Sequence, residues 1–147
     1  MKITETLLAE HVVFHNLFDH IERVLPGLRS VSEVRTLASV METMLESHSR
    51  VEDDLLIAPM EHCMEQLGQK DTFHKEHEEI DEALRRIPRT TNVIQARRML
   101  LKAVVASRRH FDKEERIVFP LAERVLNENT LRTLGQSWMK RSKVAAS

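Results

Sequence analysis

Two segments of the sequence repeat the same pairing of a histidine with a glutamate four positions later. The pairs are His48/Glu52 and His110/Glu114, and each is followed by a second acidic residue, an apolar run and a proline. Residues four positions apart lie on one face of an α-helix, about one turn from each other. An imidazole and a carboxylate in that arrangement can bind the same metal ion. The spacing therefore predicts two metal-ligating helix faces.

The pairing alone is a weak signal, because the chain has 8 histidines and many glutamates. A third match, His74/Glu78, is discounted because Glu78 is expected to point away from the predicted apolar face. The stronger signal is an internal repeat, in which a Glu-His dipeptide precedes each pair at a similar spacing. These dipeptides are Glu10-His11 and Glu76-His77. The repeat predicts two related helical hairpins, each carrying one lone histidine and one His/Glu pair.

The length and composition of the chain limit the class of protein that can contain these hairpins. A chain of 147 residues is long enough for one domain with a sizeable core, over residues 1–147. The formal net charge of −1 gives no field that would attract nucleic acid or an anionic membrane surface. A single cysteine excludes an intrachain disulfide and a thiolate zinc site. With no signal-peptide pattern and no apolar run of about 20 residues, we expect a soluble cytoplasmic protein, as a monomer or homodimer.

The residue types favour helix throughout, since the chain has only 3 glycines and 4 prolines and is rich in good helix formers. Capping signals predict four helix starts, at Thr4, at the capping box Ser30-x-x-Glu33, at Asp71 or Thr72, and at Asn92. Pro59 is expected to kink or interrupt the second helix. The prediction is an all-α bundle of antiparallel hairpins over about residues 5–126, followed by a short C-terminal helix over about residues 128–140.

Polar residues fall inside the apolar faces of all four predicted helices. Those expected to point inward are His11, His48, Glu52, His77, His110 and Glu114. His15 and His74 lie at the edges of such faces, so each is a possible additional ligand. Asp53 and Asp54 are expected to face outward, and Glu115 is expected to lie at the surface or to support a ligand from behind.

Burying six polar groups needs compensation. An unpaired buried polar group costs about 1–3 kcal/mol, and a lone carboxylate more, against a total stability of about 5–15 kcal/mol. One alternative is a metal-free layer of hydrogen-bonded histidines and glutamates. The other is a dinuclear metal centre with four imidazoles and two bridging carboxylates, which leaves positions open for water, a further histidine or an exogenous ligand. Iron suits this ligand set as a redox-capable ion, and manganese or zinc is less favoured.

The complete motif set resembles the hemerythrin-like HHE cation-binding family over about residues 5–126. The set consists of Glu-His in the first and third helices and His-x-x-x-Glu with a downstream proline in the second and fourth. The resemblance implies an up-down-up-down four-helix bundle that holds two iron ions in an oxo- or hydroxo-bridged non-heme site. It implies His11, His48, His77 and His110 as terminal ligands and Glu52 and Glu114 as bridges.

Two departures from the oxygen-carrying members of that family affect the expected function. Those members have aspartate five residues after the histidine of the fourth helix, where this chain has Glu115, and two histidines four apart in the third, where it has His74 and His77. We therefore expect a protein that binds or reacts with O2, NO or peroxide rather than a reversible oxygen carrier. The alternative is an iron- or oxygen-sensing or iron-buffering regulatory module without turnover, and the sequence leaves open whether the protein is an enzyme.

Overall fold

The structure, a computed structural model, describes the backbone of residues 1–146 and the side chains of residues 1–143. Within that range the chain is helical and contains no β-strand, which confirms the predicted all-α fold. The α-helices are α1 (Ile3–Val24), α2 (Val31–Glu52), α3 (Glu61–Gln66), α4 (Lys70–Arg86), α5 (Val93–Lys113), α6 (Phe119–Val125) and α7 (Glu128–Ala146). The four long helices α1, α2, α4 and α5 form the bundle, and α7 packs against α1.

Side-chain caps fix the starts of two bundle helices as the sequence predicts. The Ser30 hydroxyl accepts a hydrogen bond from the Glu33 amide, and the Asn92 side chain accepts from the amides of Ile94 and Gln95. The prediction of Thr4 as a cap is wrong, because α1 begins earlier, at Ile3. The Thr4 hydroxyl donates instead to the carboxylate of a glutamate on α6, Glu123, and so ties the start of α1 to α6 at one end of the bundle.

Both helices that carry a His/Glu pair widen into a π-helical segment that begins at the glutamate of the pair or one residue after it. The segments are Asp53–Ile57 after α2 and Glu114–Val118 after α5. Each is followed two residues later by a proline, Pro59 or Pro120. A proline ring inside an α-helix clashes with the carbonyl four residues earlier and donates no hydrogen bond. In both copies that carbonyl belongs to the π segment, so the wider turn accommodates the ring. Helix α6 follows directly at Pro120, whereas Pro59 lies in a 3-10 turn, Ala58–Met60, that separates α2 from α3 and confirms the expected interruption.

The core is divided by a polar layer. One apolar cluster fills the end of the bundle that contains the turns after α1 and α4, with Phe18, Met41 and Leu84 among its buried members. A second cluster fills the other end, where Ile3 and Phe73 are buried. In each of the four long helices the histidines and glutamates of the repeat lie between the two clusters. The hydrophobic ends therefore hold the polar layer in place from both sides.

Helix α7 is longer than predicted and lies against the N-terminal part of α1. Leu131 on α7 is buried, and Leu134 and Trp138 pack beside the second apolar cluster. Gly135 permits the close approach, because a Cβ atom at this position would lie 2.0 Å from the carbonyl oxygen of Met1. Among the described residues, none of the helices has the length and apolar character needed to cross a membrane.

Candidate metal centre

The six residues predicted to point inward meet in the polar layer. Five of them are buried, with at most 3% of the residue surface exposed: His11, His48, Glu52, His110 and Glu114. The sixth, His77, is partly buried, and 13% of its side chain is exposed. They are supplied by four different helices, so the layer exists only when the whole bundle is assembled.

The six side chains form two groups that share both glutamates. One group is His11, His48, Glu52 and Glu114, and the other is Glu52, His77, His110 and Glu114. In each group, one ligand atom per residue can be chosen so that all four atoms lie within 4.8 Å of one another. Each group therefore combines the two histidines of one predicted hairpin with one oxygen from each glutamate.

The two glutamates point different oxygens at the two groups. Glu52 Oε2 lies 3.2 Å from Nε2 of His48, and Glu52 Oε1 lies 3.7 Å from Nε2 of His77. Glu114 Oε1 lies 2.8 Å from Nε2 of His110, and Glu114 Oε2 lies 3.9 Å from Nε2 of His11. We call the His11/His48 side the first metal position and the His77/His110 side the second. Each carboxylate spans the two positions.

The atoms that face the centre have no hydrogen-bond partner. They are Nε2 of His11, His48 and His110 and both carboxylate oxygens of Glu52 and Glu114. A buried polar atom without a partner is rare and costly in a folded protein. A neutral imidazole nitrogen and a carboxylate oxygen are also the lone-pair donors that metal ions bind. The donor set therefore fits two cations that share the two carboxylates.

Further carboxylates lie behind the histidines, at the opposite ring nitrogen. Three Nδ1 atoms donate hydrogen bonds, from His48 to Glu10 (2.5 Å), from His110 to Glu76 (2.7 Å) and from His11 to Glu115 (3.0 Å). A carboxylate at Nδ1 fixes the proton there and leaves Nε2 free to bind a metal. Each of these imidazoles is thus held in the tautomer that metal ligation requires.

The fourth histidine has a less direct contact of the same kind. Asp53 Oδ1 lies 3.9 Å from Nδ1 of His77, too far for a direct hydrogen bond. Asp53 follows His48 by five residues, as Glu115 follows His110. The acid five residues after each paired histidine therefore faces the lone histidine of the other hairpin, which extends the repeat beyond the predicted ligands.

Glu115 takes the second of its two expected positions, behind a proposed ligand, His11. The prediction that Asp53 faces outward is wrong. It assumed α-helical rotation through positions that are π-helical or adjoin a π segment. The i to i+5 closure of a π turn brings a residue back toward the face of the one five positions earlier. In the sequence, the prolines that follow both segments indicate that regular α-helical turns do not continue through them. Glu10 and Glu76 belong to the repeat, but their spacing does not predict that they accept hydrogen bonds from histidines on the next long helix, His48 and His110.

The two possible additional ligands lie outside both groups. Nδ1 of His15 accepts a hydrogen bond from Arg108 at 3.1 Å, at the flank of the bundle. His74 is partly buried beside Phe73, with 6.2 Å between the ring centroids. The structure brings neither imidazole to the shared carboxylates.

The environment shifts the proton affinity of the lone histidines. Burial lowers the pKa of His11 to about 3, and the nearby His48 adds to the effect. Burial also lowers the pKa of His77 to about 4, with a further contribution from His110. Both imidazoles are therefore neutral near pH 7, which is the form that binds a metal.

The pKa values of His48 and Glu114 are raised in the metal-free protein. Burial would lower the pKa of His48, but the hydrogen bond to Glu10 and the nearby Glu52 carboxylate raise it to about 9. Burial raises the pKa of Glu114 well above its ordinary value, and the Glu52 carboxylate raises it further. Two adjacent buried carboxylates resist ionising together. A bound cation would remove that conflict.

Aromatic rings enclose the first metal position. The Phe111 ring stacks on His11, with 3.9 Å between centroids and 9° between planes, and the Phe14 ring meets His48 edge-on at 5.2 Å. At the second position, the Phe73 centroid lies 4.6 Å from that of His77. These rings restrict rotation of the imidazoles and exclude water from their faces.

Comparison with known proteins adds a family match. The family model described as the hemerythrin HHE cation binding domain matches residues 2–125 of the chain. No curated protein and no solved structure matches it. The match spans the four-helix bundle with all six inward residues and ends before α7.

Proposed function

Because the chain belongs to the hemerythrin HHE cation-binding family, we propose that it is a non-heme diiron protein that binds or reacts with O2, NO or peroxide. The proposed terminal ligands are His11, His48, His77 and His110, and the proposed bridges are Glu52 and Glu114. The observation that carries the proposal is the division of carboxylate oxygens, in which each glutamate presents one oxygen to each pair of histidines.

A purely hydrogen-bonded polar layer explains the geometry less well. In such a layer the glutamate oxygens would accept hydrogen bonds from the imidazoles, yet Nε2 of His48 and of His110 make none despite their short distances to Glu52 and Glu114. The charge around the site also favours cations. Carboxylates lie at the centre, from Glu52 and Glu114, and also behind the histidines. Lys113 is the basic residue seen in contact with these carboxylates, through its hydrogen bond to Glu76.

The ligand set supports iron over the alternatives. Imidazole and carboxylate ligands suit iron, manganese and zinc, but carboxylate bridges with open coordination positions favour a redox-active ion. When bound, two iron ions would supply electron transfer to or from a small ligand. Manganese and zinc remain less favoured because the chain offers a buried, carboxylate-bridged pair of positions.

The protein's own residues would prepare the site for that chemistry. Glu10, Glu76 and Glu115 orient the imidazoles through Nδ1. The rings of Phe14 and Phe111 exclude water from the first position. Two cavities reach His110 from outside the bundle, one lined by Glu76 and Arg109 with a volume of about 200 Å³ and one beside His77 with a volume of about 10 Å³. A small ligand would approach the second position by this route.

One observation favours an iron-sensing or iron-buffering role instead. His77 is the most exposed of the six residues, and its Nδ1 lacks a direct hydrogen bond to Asp53. A less firmly held histidine would let an ion at the second position exchange more readily. In that role the bound iron reports iron or oxygen levels without turnover.

The test uses the purified iron-loaded protein. We expect visible absorption from a ferric pair that azide perturbs, and repeated consumption of peroxide or NO, with His110→Ala losing both and Glu78→Gln losing neither. Azide-sensitive absorption with a single, stoichiometric reaction and rapid loss of iron to a chelator would favour the sensing or buffering role. A colourless protein that binds zinc in preference to iron would contradict the proposal.

A further inference from the structure

Helix α7 lies beyond the part of the chain that the family model matches, yet it contacts a residue behind the metal centre. Trp138 Nε1 on α7 donates a hydrogen bond to Glu10 Oε1 at 2.9 Å. The other oxygen of the same carboxylate, Oε2, accepts the hydrogen bond from Nδ1 of His48. A continuous chain of two hydrogen bonds thus joins the C-terminal helix to a proposed ligand of the first metal position.

Glu10 needs such a partner to hold its position. Its side chain is 25% exposed, so its carboxylate can turn toward water when nothing holds the second oxygen. A glutamate side chain loses considerable rotamer freedom when it is fixed. An indole N–H donates only one hydrogen bond and accepts none, and its ring is held by packing beside Leu134 and the second apolar cluster. Trp138 therefore restricts Glu10 to the orientation that serves His48.

The second hairpin contains the same arrangement with a different donor. Glu76 Oε2 accepts from Nδ1 of His110 at 2.7 Å, and Glu76 Oε1 accepts from Lys113 Nζ at 2.9 Å. Lys113 lies on the same helix as His110, three residues later, so this hairpin contains its own donor. The first hairpin has no such residue in that role and takes its donor from α7. In both copies, therefore, the second oxygen of the carboxylate behind the paired histidine accepts a hydrogen bond from a side chain outside the six proposed ligands.

We propose that Trp138 is a positioning residue for the first metal position, so that the C-terminal helix is part of the metal centre. The inference rests on the proposed function, because it concerns how firmly the metal bound by His11 and His48 is held. Loss of the indole N–H frees Glu10, which in turn loosens the tautomer and orientation of His48. The second position keeps its own donor, Lys113, and is unaffected.

The experiment compares two substitutions on α7 in the full chain. Trp138→Phe keeps an aromatic ring but removes the N–H donor, whereas Leu134→Ala weakens the packing of α7 without touching Glu10. Removing a group that supports a metal ligand typically lowers metal affinity by about 10- to 100-fold. In a chelator competition, we expect Trp138→Phe to release one of two bound ions at about tenfold lower chelator concentration, and Leu134→Ala to retain both like the unaltered chain.

A double-mutant cycle tests whether Trp138 acts through Glu10. Glu10→Gln alone should weaken the same ion, and adding Trp138→Phe to it should cause little further loss, since the two residues form one hydrogen-bonded chain. Lys113→Met should weaken the other ion, so that combining it with Trp138→Phe loosens both. If Trp138→Phe fails to fold, the fluorescence of the intact Trp138 carries the test, and emission that does not respond to metal at the first position would overturn the proposal.

Fluorescence supplies a readout that a purely structural role would not change. The chain has 1 tryptophan and no tyrosine, so its emission reports Trp138 alone. Zn²⁺ serves as a probe because it has no redox chemistry. We expect Trp138 emission to shift as Zn²⁺ fills the first position, and Glu10→Gln to abolish the shift.

The possible outcomes separate this inference from the proposed function. Absence of metal binding in the unaltered chain would overturn both. Two retained ions with equal affinity in Trp138→Phe and the unaltered chain would overturn only the role of Trp138. Equal weakening by Leu134→Ala and Trp138→Phe would also overturn it, because packing of α7 rather than the indole N–H would then be responsible.

Discussion

At the scale of single residues, substitutions of the two buried glutamates can separate effects on metal binding from effects on fold stability. Glu52 and Glu114 are fully buried, and none of their oxygens has a hydrogen-bond partner. Burial, and then the Glu52 carboxylate, raise the pKa of Glu114 well above its ordinary value and so favour its neutral form in the metal-free protein. A neutral glutamine has nearly the same shape as a protonated glutamate. Substitution at this position should therefore affect the metal and leave the fold almost unchanged.

We predict that Glu114→Gln leaves the melting temperature of the metal-free protein nearly unchanged and weakens metal binding by more than about 100-fold, beyond the effect of a supporting group. Calorimetry of the metal-free protein and metal analysis after dialysis would measure the two quantities. The matched control is Glu78→Gln, from the third His-x-x-x-Glu match, which should retain all bound metal. Equal metal retention by the two variants would contradict the role of Glu114.

The sequence predicted the six inward residues because an i, i+4 spacing and an apolar face are local properties of a helix. The supporting carboxylates were not predictable in the same way. Glu10 reaches His48 across 38 positions of sequence, and Trp138 reaches Glu10 across 128. Such contacts depend on the register of helices against each other, which propensity and periodicity do not determine.

At the scale of elements, the π segments determine which acids face the centre. Both begin within five residues of the paired histidine and end two residues before a proline. A π turn is less stable than α-helix and is commonly found at functional sites. The proline opposes a return to α-helical geometry, because its ring would clash with the carbonyl four residues earlier.

We predict that Pro120→Ala stabilises the helical segment between α5 and α6 but weakens metal binding. Without the ring, the segment can adopt α-helical turns, which would rotate Glu115 away from His11. A loss of the supporting carboxylate should lower metal affinity by about tenfold, measured by chelator competition. Pro88→Ala is the control, because Pro88 lies in the 3-10 turn after α4, far along the chain from the site. Unchanged affinity in Pro120→Ala would show that the proline does not maintain the π segment.

Cap residues predicted two of the four helix starts, at Ser30 and Asn92, whereas α4 begins at Lys70, just before the predicted Asp71 or Thr72. The start of α1 and the length of α7 were less predictable. Thr4 has the chemistry of a cap, but Glu123 on a distant helix provides a stronger partner for it. A tertiary contact thus overrode a local signal.

At the scale of the whole molecule, the polar layer links stability to pH. The folded-state pKa of His48 is raised to about 9, chiefly by Glu10 and Glu52 acting against burial. An unfolded histidine has a pKa of about 6.5. The stabilisation from the protonated imidazole is therefore fully present below pH 6.5 and is lost as the pH rises through 9. The raised pKa of Glu114 has the same sign, since the folded state holds this proton more tightly than the unfolded state does.

We predict that the metal-free protein loses stability as the pH rises toward 9, above the range near pH 6.5 in which the lowered pKa values of His11 and His77 act in the opposite direction. Metal binding should strengthen over the same range. Metal ligation requires deprotonated His48 and Glu114, so fewer protons compete with the ion as the pH rises. Each unit of pKa shift corresponds to about 1.4 kcal/mol. The melting temperatures of the metal-free and the metal-bound protein should therefore move apart as the pH rises, with the metal-free protein becoming the less stable of the two. A metal-free melting temperature that rises with pH would contradict the assignment.

The central claim is that two cations share the carboxylates of Glu52 and Glu114. Anomalous diffraction at the iron edge from crystals of the iron-loaded protein tests it most directly. The account predicts two peaks roughly 3.5–4 Å apart, as in other two-metal sites, one beside Nε2 of His11 and His48 and the other beside Nε2 of His77 and His110. A single peak, or two peaks that do not both contact Glu52 and Glu114, would contradict it.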